Sequence, residues 1–123
     1  MIKKIDHLVI TTANMENCIS FYEKLGFTAK NTNERWELFA GDFKINVHFL
    51  GKELSPHAKH IQTGSADLCL EVNGSIDYLK NELEKKNIEL ETGTVERTGV
   101  KGKMKSLYLR DPDGNLLEFC SYE

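Results

Sequence analysis

The sequence contains one order of elements twice, and this internal repeat limits the possible folds more than any other feature. Each copy reads as a β-strand, an amphipathic helix and a hairpin of strands. Residues 6–10 align with residues 66–70, and residues 42–49 align with residues 112–119. The chain is therefore predicted to be an α+β protein, with two tandem βαβββ modules that form a curved mixed sheet around a cavity.

In the first module, a strand is predicted over Ile5–Thr11, and Asn14 is placed to cap the helix that follows. Gly26 is placed to end this helix. A hairpin is predicted over Arg35–Ala40 and Lys44–Leu50, because Gly41-Asp42 is a turn signal between them.

The second module repeats this order. It begins with a strand over Asp67–Val72, and a helix with apolar residues on one face follows. The turn Asp111-Pro112-Asp113-Gly114 then joins the strands Met104–Arg110 and Asn115–Tyr122. The polar stretch 51–65 reads as a connection, so one domain over 1–123 is expected, with module one at about 1–52 and module two at about 64–123.

Composition excludes several classes of partner. The chain has 123 residues, with 16 basic and 19 acidic side chains and a net charge of −3, so neither nucleic acid nor a membrane surface is indicated. No apolar run approaches the ~20 residues of a membrane span. Three widely spaced cysteines fit reduced core thiols, and a cytoplasmic location is expected.

Two histidines and two carboxylates occupy positions related by the repeat. Glu118 is the only acid on its predicted strand, where an ionised carboxylate is costly unless it is paired, coordinated or at the water-exposed rim. In the repeat alignment His48 matches Glu118, and His7 matches Asp67. These four residues are predicted to bind a metal ion. For Asp67, a surface cap at the strand start and an uncoordinated base beside the metal are the alternatives.

Three further residues, His57, His60 and Arg97, are of types that could serve a functional site. His57 and His60 are predicted to be surface residues of the polar connection. The basic segment 97–105 could be a lid that meets an anionic substrate through Arg97, although a solvated loop is favoured on sequence alone.

The chain resembles the vicinal oxygen chelate superfamily, which includes glyoxalase I, extradiol dioxygenases and bleomycin-resistance proteins. Residues 5–9, 21–27 and 111–118 carry the resemblance, and residues 64–69, 96–99 and 106–118 are most similar to its glyoxalase-domain-containing branch. The resemblance implies one divalent ion (Zn, Ni, Mn or Fe) held from the first, fourth, fifth and eighth strands. By position these ligands are His7, His48, Asp67 and Glu118. It also implies a homodimer whose sites draw on both subunits.

The resemblance also implies a reaction. Glyoxalase I typically has His on the first and fifth strands and Glu on the other two, whereas this chain has His48 and Asp67 at the fourth-strand and fifth-strand positions. A metal-dependent lyase or isomerase is expected, acting on a small α-oxygenated carbonyl compound through a bidentate metal-bound enediolate, with Glu118 or Asp67 moving the proton. Two alternatives stay open. One is an extradiol-type ring-cleaving dioxygenase with Fe(II) on His7, His48 and Glu118, and the other is a metal-free small-molecule binding or resistance protein.

Overall fold

A computed structural model describes residues 1–33 and 35–123 of the chain. Within these residues, each module has one strand, one helix and then three strands, which is the predicted βαβββ order. The elements are β1 (His7–Thr12), α1 (Met15–Lys24), β2 (Thr28–Thr32), β3 (Arg35–Ala40), β4 (Phe43–Phe49), β5 (Asp67–Glu71), α2 (Ile76–Lys85), β6 (Thr92–Gly99), β7 (Gly102–Arg110) and β8 (Leu116–Ser121).

The strands form two four-stranded mixed sheets of the same topology. Sheet 1 has the order β1-β4-β3-β2, and sheet 2 has the order β5-β8-β7-β6. In each sheet the first and last strands of the module pair in parallel, while the other pairs are antiparallel. The α+β class and the two βαβββ modules are thus confirmed.

The chain divides into two compact units. Unit 1 contains residues 1–65 and 112–114, and unit 2 contains residues 66–111 and 115–123. The connection predicted at 51–65 therefore belongs to unit 1. The single domain over 1–123 stays a prediction.

Helix α1 begins and ends where its sequence indicates. The Asn14 side chain accepts a hydrogen bond from the Asn17 amide at 3.0 Å, so it is the predicted N-cap. After the C-cap Leu25, Gly26 has a φ of 103°, which a residue with a Cβ rarely adopts. The Phe27 amide then returns to the Tyr22 carbonyl at 3.0 Å and closes the helix end.

Aromatic rings hold α1 against one face of sheet 1. The fully buried Tyr22 ring meets Phe27 edge to face at a centroid distance of 5.3 Å, and Phe27 meets Phe43 of β4 at 6.2 Å. Phe43 shares its face with Ile45 and Val47, because alternate residues of a strand point the same way. This face is therefore the core of unit 1.

In unit 2, α2 lies against β7 and β8. Leu107, Leu109 and Leu117 are completely buried, and so are Ile76 and Leu83 of the helix to within 2%. Burial of each such side chain contributes about 1.5–3 kcal/mol to folding. The apolar alternation of β7 and β8 therefore fixes which face of sheet 2 meets the helix.

The structure of the segment 97–105 differs from the prediction of a solvated loop. It is not a solvated loop, because β6 and β7 form a hairpin through it, with Gly99 opposite Gly102 and the exposed Val100 at the turn. β6 is a mostly polar strand with little apolar alternation. Its pairing with β7 through main-chain hydrogen bonds therefore leaves no pattern in the sequence.

Both helices have ten residues. Across residues 1–33 and 35–123, no helix combines the length and the apolar character that a membrane crossing requires.

Candidate functional site

The face of sheet 1 that is turned away from the apolar core residues carries polar side chains. Paired residues of neighbouring strands share a face, and residues two apart on one strand do so too. We call this surface the His48 face. Its central members are His7, Val9 and Thr11 of β1, Lys44, Asn46 and His48 of β4, and Arg35, Glu37 and Phe39 of β3.

Sheet 2 has an equivalent polar surface, which we call the Glu118 face. It contains Asp67, Cys69 and Glu71 of β5, Glu118 and Cys120 of β8, and Ser106, Tyr108 and Arg110 of β7. Glu118 lies in the middle of this surface, opposite Cys69 on one side and Tyr108 on the other.

The strand registers correct the repeat alignment by two residues. His7 pairs with Lys44, and Asp67 pairs with Leu116. If His7 and Asp67 are equivalent, Lys44 is therefore equivalent to Leu116, and the equivalent of Glu118 is Asn46. The predicted match of His48 with Glu118 is wrong, because the two hairpin turns differ in length.

Asn46 and Glu118 share a second property. The Asn46 side chain is only 4% exposed, and its Oδ1 has no hydrogen-bond partner among the described residues. The same is true of the buried Oε2 of Glu118. A buried acceptor without a donor costs about 1–3 kcal/mol, and more when it is charged. Asn46 and Glu118 thus place an unsatisfied oxygen at the same register position of each sheet, and the Ser106 hydroxyl on the Glu118 face is a further buried oxygen without a partner among the described residues. A bound cation would satisfy such oxygens.

His7 has the orientation of a ligand-type histidine. It is exposed at the start of β1, and its Nδ1 lies 2.7 Å from Oδ1 of Asp6. This hydrogen bond is the main reason that the pKa of Asp6 is lowered. An imidazole whose one nitrogen bonds a carboxylate presents the other nitrogen outward, an arrangement common in metal sites. Nε2 of His7 is therefore the candidate ligand atom.

His7 and His48 are too far apart along their strands to share an ion within one chain. His48 is opposite Thr11, four residues beyond His7. At about 3.3 Å per residue, this offset is about 13 Å along the strands. Asn46 is two residues closer and therefore nearer to His7. Among residues 1–33 and 35–123, no three His, Cys, Asp or Glu side chains are grouped to hold a metal.

His48 is partly buried on its face, and its environment favours the neutral imidazole. Loss of solvent is the main cause of its lowered pKa, and the positive charge of Arg35 adds to it, while Glu53 acts in the opposite direction. A neutral imidazole offers both a hydrogen-bond donor and an acceptor near neutral pH.

This lowered pKa predicts a pH effect on stability. Below about pH 6.5 the unfolded state takes up a proton at His48 before the folded state does, so the free energy of unfolding should fall as the pH drops through this range. NMR titration of the metal-free protein should place the His48 midpoint below 6.5. The His48→Gln variant should lose this part of the pH dependence, whereas His60→Gln should keep it. A His48 midpoint above 6.5 would contradict the prediction.

Asp67 is exposed at the first position of β5. It lies on the same face as Glu118, two residues away along the strands, which repeats the offset between His7 and Asn46. Its charge contributes to raising the pKa of Arg110, after the ion pair with Glu91. The position is compatible with a ligand, with a base and with a surface cap.

Two cysteines lie beside Glu118, and no motif in the sequence predicts them there. Cys69 is exposed, although a core thiol was predicted, while Cys120 is 4% exposed. Loss of solvent raises the pKa of both thiols, and for Cys69 the neighbouring Cys120 and Glu118 raise it further. Both sulfurs are therefore protonated and weakly nucleophilic near neutral pH. Cys18 is buried, as predicted.

Arg97 is held close to the Glu118 face by Tyr108. Its Nε donates a hydrogen bond to the Tyr108 hydroxyl at 3.0 Å, and its guanidinium lies 5.5 Å from the centre of that ring. Tyr108 is directly opposite Glu118. The Tyr108 side chain therefore lies between Arg97 and the candidate carboxylate of Glu118. His57 and His60 are exposed, as predicted.

Relatives of known name share this sequence over nearly its full length. Virulence protein STM3117 of Salmonella typhimurium is 42% identical over 99% of this chain and 86% of its own. Glyoxalase domain-containing protein RDO1 of Mycosarcoma maydis is also 42% identical, over 99% of this chain and 70% of its own.

Solved structures show the same fold. The crystal structure of STM3117 superposes with a TM-score of 0.96, covering 100% of this chain and 99% of that one. A lactoylglutathione lyase from Agrobacterium tumefaciens has a TM-score of 0.76 at 18% identity, over 99% and 96% of the two chains, so this likeness concerns the fold. Residues 4–119 match the family model described as the glyoxalase/bleomycin resistance protein/dioxygenase superfamily. The chain therefore belongs to that superfamily.

Proposed function

We propose that this protein is a metal-dependent lyase or isomerase that acts on a small α-oxygenated carbonyl compound. The observation that carries the proposal is the buried Oε2 of Glu118, in the centre of a polar sheet face, which has no hydrogen-bond partner in the described part of the chain. An uncompensated carboxylate oxygen is expensive in such a position, and coordination of a cation is a common reason for one.

The proposed ligands are His7, Asp67 and Glu118, together with one residue of β4. The sequence-based choice for β4 is His48, but the registers favour the amide oxygen of Asn46. Imidazole, carboxylate and amide oxygen suit zinc, nickel, manganese or iron(II). Their chemistry also agrees with a relative, a metallothiol transferase of Shouchella clausii that is 27% identical over 96% of this chain and 80% of its own.

A bound divalent ion would act as a Lewis acid toward two neighbouring oxygens of the substrate. The chain's own contribution is proton transfer, with the carboxylate of Glu118 or Asp67 as the base that moves a proton between adjacent carbons. Such general base catalysis contributes typically about 10²–10⁴-fold to a rate. Arg97, fixed on Tyr108, is proposed to contact the substrate.

Members of the superfamily bind small molecules and often form dimers, and we propose a homodimer here as well. The three free cysteines fit a reducing compartment such as the cytoplasm.

The test is elemental analysis of protein purified without an affinity tag or chelator. We expect one equivalent of a divalent transition metal per chain. Nickel, zinc or manganese would support the lyase, whereas iron with oxygen-dependent turnover would favour the ring-cleaving dioxygenase. The absence of metal after incubation with each ion would contradict the proposal and favour a metal-free binding protein.

Variants identify the ligands in the same measurement. His7→Ala should lose the metal, while His60→Ala, which removes an exposed imidazole, should retain it. A comparison of Asn46→Ala with His48→Ala distinguishes the two candidates on β4. Full metal content in His7→Ala would remove that residue from the set.

A further inference from the structure

Arg35 occupies a corner of the His48 face that is not used by the proposed metal ligands when Asn46 is the ligand from β4. It is the first residue of β3 and pairs with Thr32 of β2. The next residue, Trp36, pairs with Val47, so Arg35 is placed beside His48 in the same ladder. The electrostatic effect of Arg35 on His48 agrees with this closeness.

The Arg35 guanidinium is incompletely satisfied. Its Nε is buried and makes no hydrogen bond with any described residue. A charged donor that has left water without gaining an acceptor is costly, so the position is stable only if something compensates it.

The carboxylates near this corner accept no hydrogen bond from the Arg35 Nε. Glu37 forms a close ion pair with Lys44, and the hydrogen bond and charge of Lys44 are the main causes of the lowered pKa of Glu37. A hydrogen bond with Thr32 and the charge of Arg35 lower this pKa further. Glu53, which affects His48 electrostatically, accepts a hydrogen bond from the Gly51 amide at 2.5 Å. Both carboxylates are therefore occupied by other donors, and His57 adds only another imidazole.

We propose that Arg35 and His48 form a binding subsite for an anionic group, a carboxylate or a phosphate, of a small-molecule ligand. The guanidinium supplies the fixed positive charge and a donor at Nε, and the imidazole supplies a second donor. The inference deepens the proposed function and rests on it for the identification of the ligand as a substrate. The substrate class is then an acid, such as a 2-hydroxy or 2-oxo acid or a phosphorylated carbonyl compound.

The experiment uses metal-free protein, so its result does not depend on the proposed metal chemistry. Inorganic phosphate and lactate are titrated separately in the presence of EDTA, and the Arg35 Nε–Hε and His48 ring signals are followed by NMR. We expect both signals to move together and to saturate with one of the two anions, which also distinguishes phosphate from carboxylate.

Three variants separate the subsite from general charge attraction. Arg35→Gln should weaken anion binding at least about 10-fold, because a charge-assisted hydrogen bond is lost. Arg35→Lys keeps the charge but not the Nε donor, so it should also bind more weakly than the natural protein. Lys3→Gln removes one exposed positive charge of the same unit and should bind like the natural protein.

Two outcomes would overturn the proposal. One is an Arg35 Nε–Hε signal that neither anion shifts. The other is unchanged affinity in Arg35→Gln, provided its NMR spectrum shows the native fold. If metal uptake fails while anion binding succeeds, the proposed enzyme function falls but the anion subsite stands.

Discussion

Replacement of Glu118 by Gln should reduce metal affinity more than about 100-fold while leaving the metal-free protein at least as stable as the natural one. The affinity falls because a charged ligand is lost, and even residues outside the ligand shell cost about 10–100-fold when removed. Stability is retained because the carboxylate Oε2 has no hydrogen-bond partner among the residues that the structure describes. Glu118→Met, which removes the unsatisfied oxygen altogether, should raise the free energy of unfolding by about 1–3 kcal/mol.

Two measurements check this result together. Isothermal titration with zinc, nickel or manganese gives the affinity, and urea unfolding in EDTA gives the stability. EDTA should lower the melting temperature of the metal-loaded natural protein but not that of Glu118→Gln, because a ligand stabilises only the state that binds it. Glu89→Gln, an exposed carboxylate of the same unit, is the matched control and should behave like the natural protein. Marked destabilisation of both Glu118 variants would assign this residue a structural role instead.

Replacement of Gly64 by Ala should lower the free energy of unfolding by about 2–5 kcal/mol. A Cβ at this position would lie 2.3 Å from the main-chain oxygen of Asp113, and the φ of Gly64 is 70°. The backbone conformation costs about 1–2 kcal/mol for a residue with a side chain, and the overpacking adds about 1–3 kcal/mol. Asp113 cannot easily move away, because its carboxylate accepts hydrogen bonds from Thr12 at 2.5 Å and from the Ala13 amide at 2.9 Å.

Gly51 provides the control for this prediction. Its φ is 88°, but a Cβ there would meet no atom of residues 1–33 and 35–123 within 4 Å. Gly51→Ala should therefore cost only the conformational part, about 1–2 kcal/mol. Urea unfolding of both variants measures the difference. Equal losses in the two would show that the approach of Gly64 to Asp113 is relaxed at little cost.

The elements with a clear apolar rhythm could be predicted from the sequence. Helix α1 has its apolar residues three and four apart and a good capping residue in Asn14, so both its existence and its start were correct. Buried apolar residues alternate with residues of the other face along β4 and β8, and this alternation predicts both strands. β2 and β6 consist mostly of polar residues and owe their place to main-chain pairing, which the side-chain pattern does not report.

The polar faces were less predictable than the elements that carry them. Two residues join β3 to β4, whereas five residues join β7 to β8, so a match drawn through these turns does not keep the strands in register. The strand pairing shows that the match is two residues out of register. Because of that shift, the repeat alignment matched Glu118 with His48 and not with Asn46. Register depends on turn geometry and on which face is buried, and neither can be read from a short match. Cys69 and Cys120 were missed because their neighbours across the ladder are far away in sequence.

β8 is an interior strand of sheet 2, and this position determines how readily its backbone opens. This strand is bonded on both sides, to β5 and to β7, whereas β5 and β6 form the two edges of sheet 2. Fraying of a sheet begins at its edges, and interior strands open only with the whole cooperative unit. In hydrogen exchange, the amides around Glu118 should accordingly be among the last of this sheet to exchange. The Glu118 carboxylate is thus on the strand whose backbone we expect to open least. The polar residues on the edge strands β5 and β6 are on backbone that should open more readily.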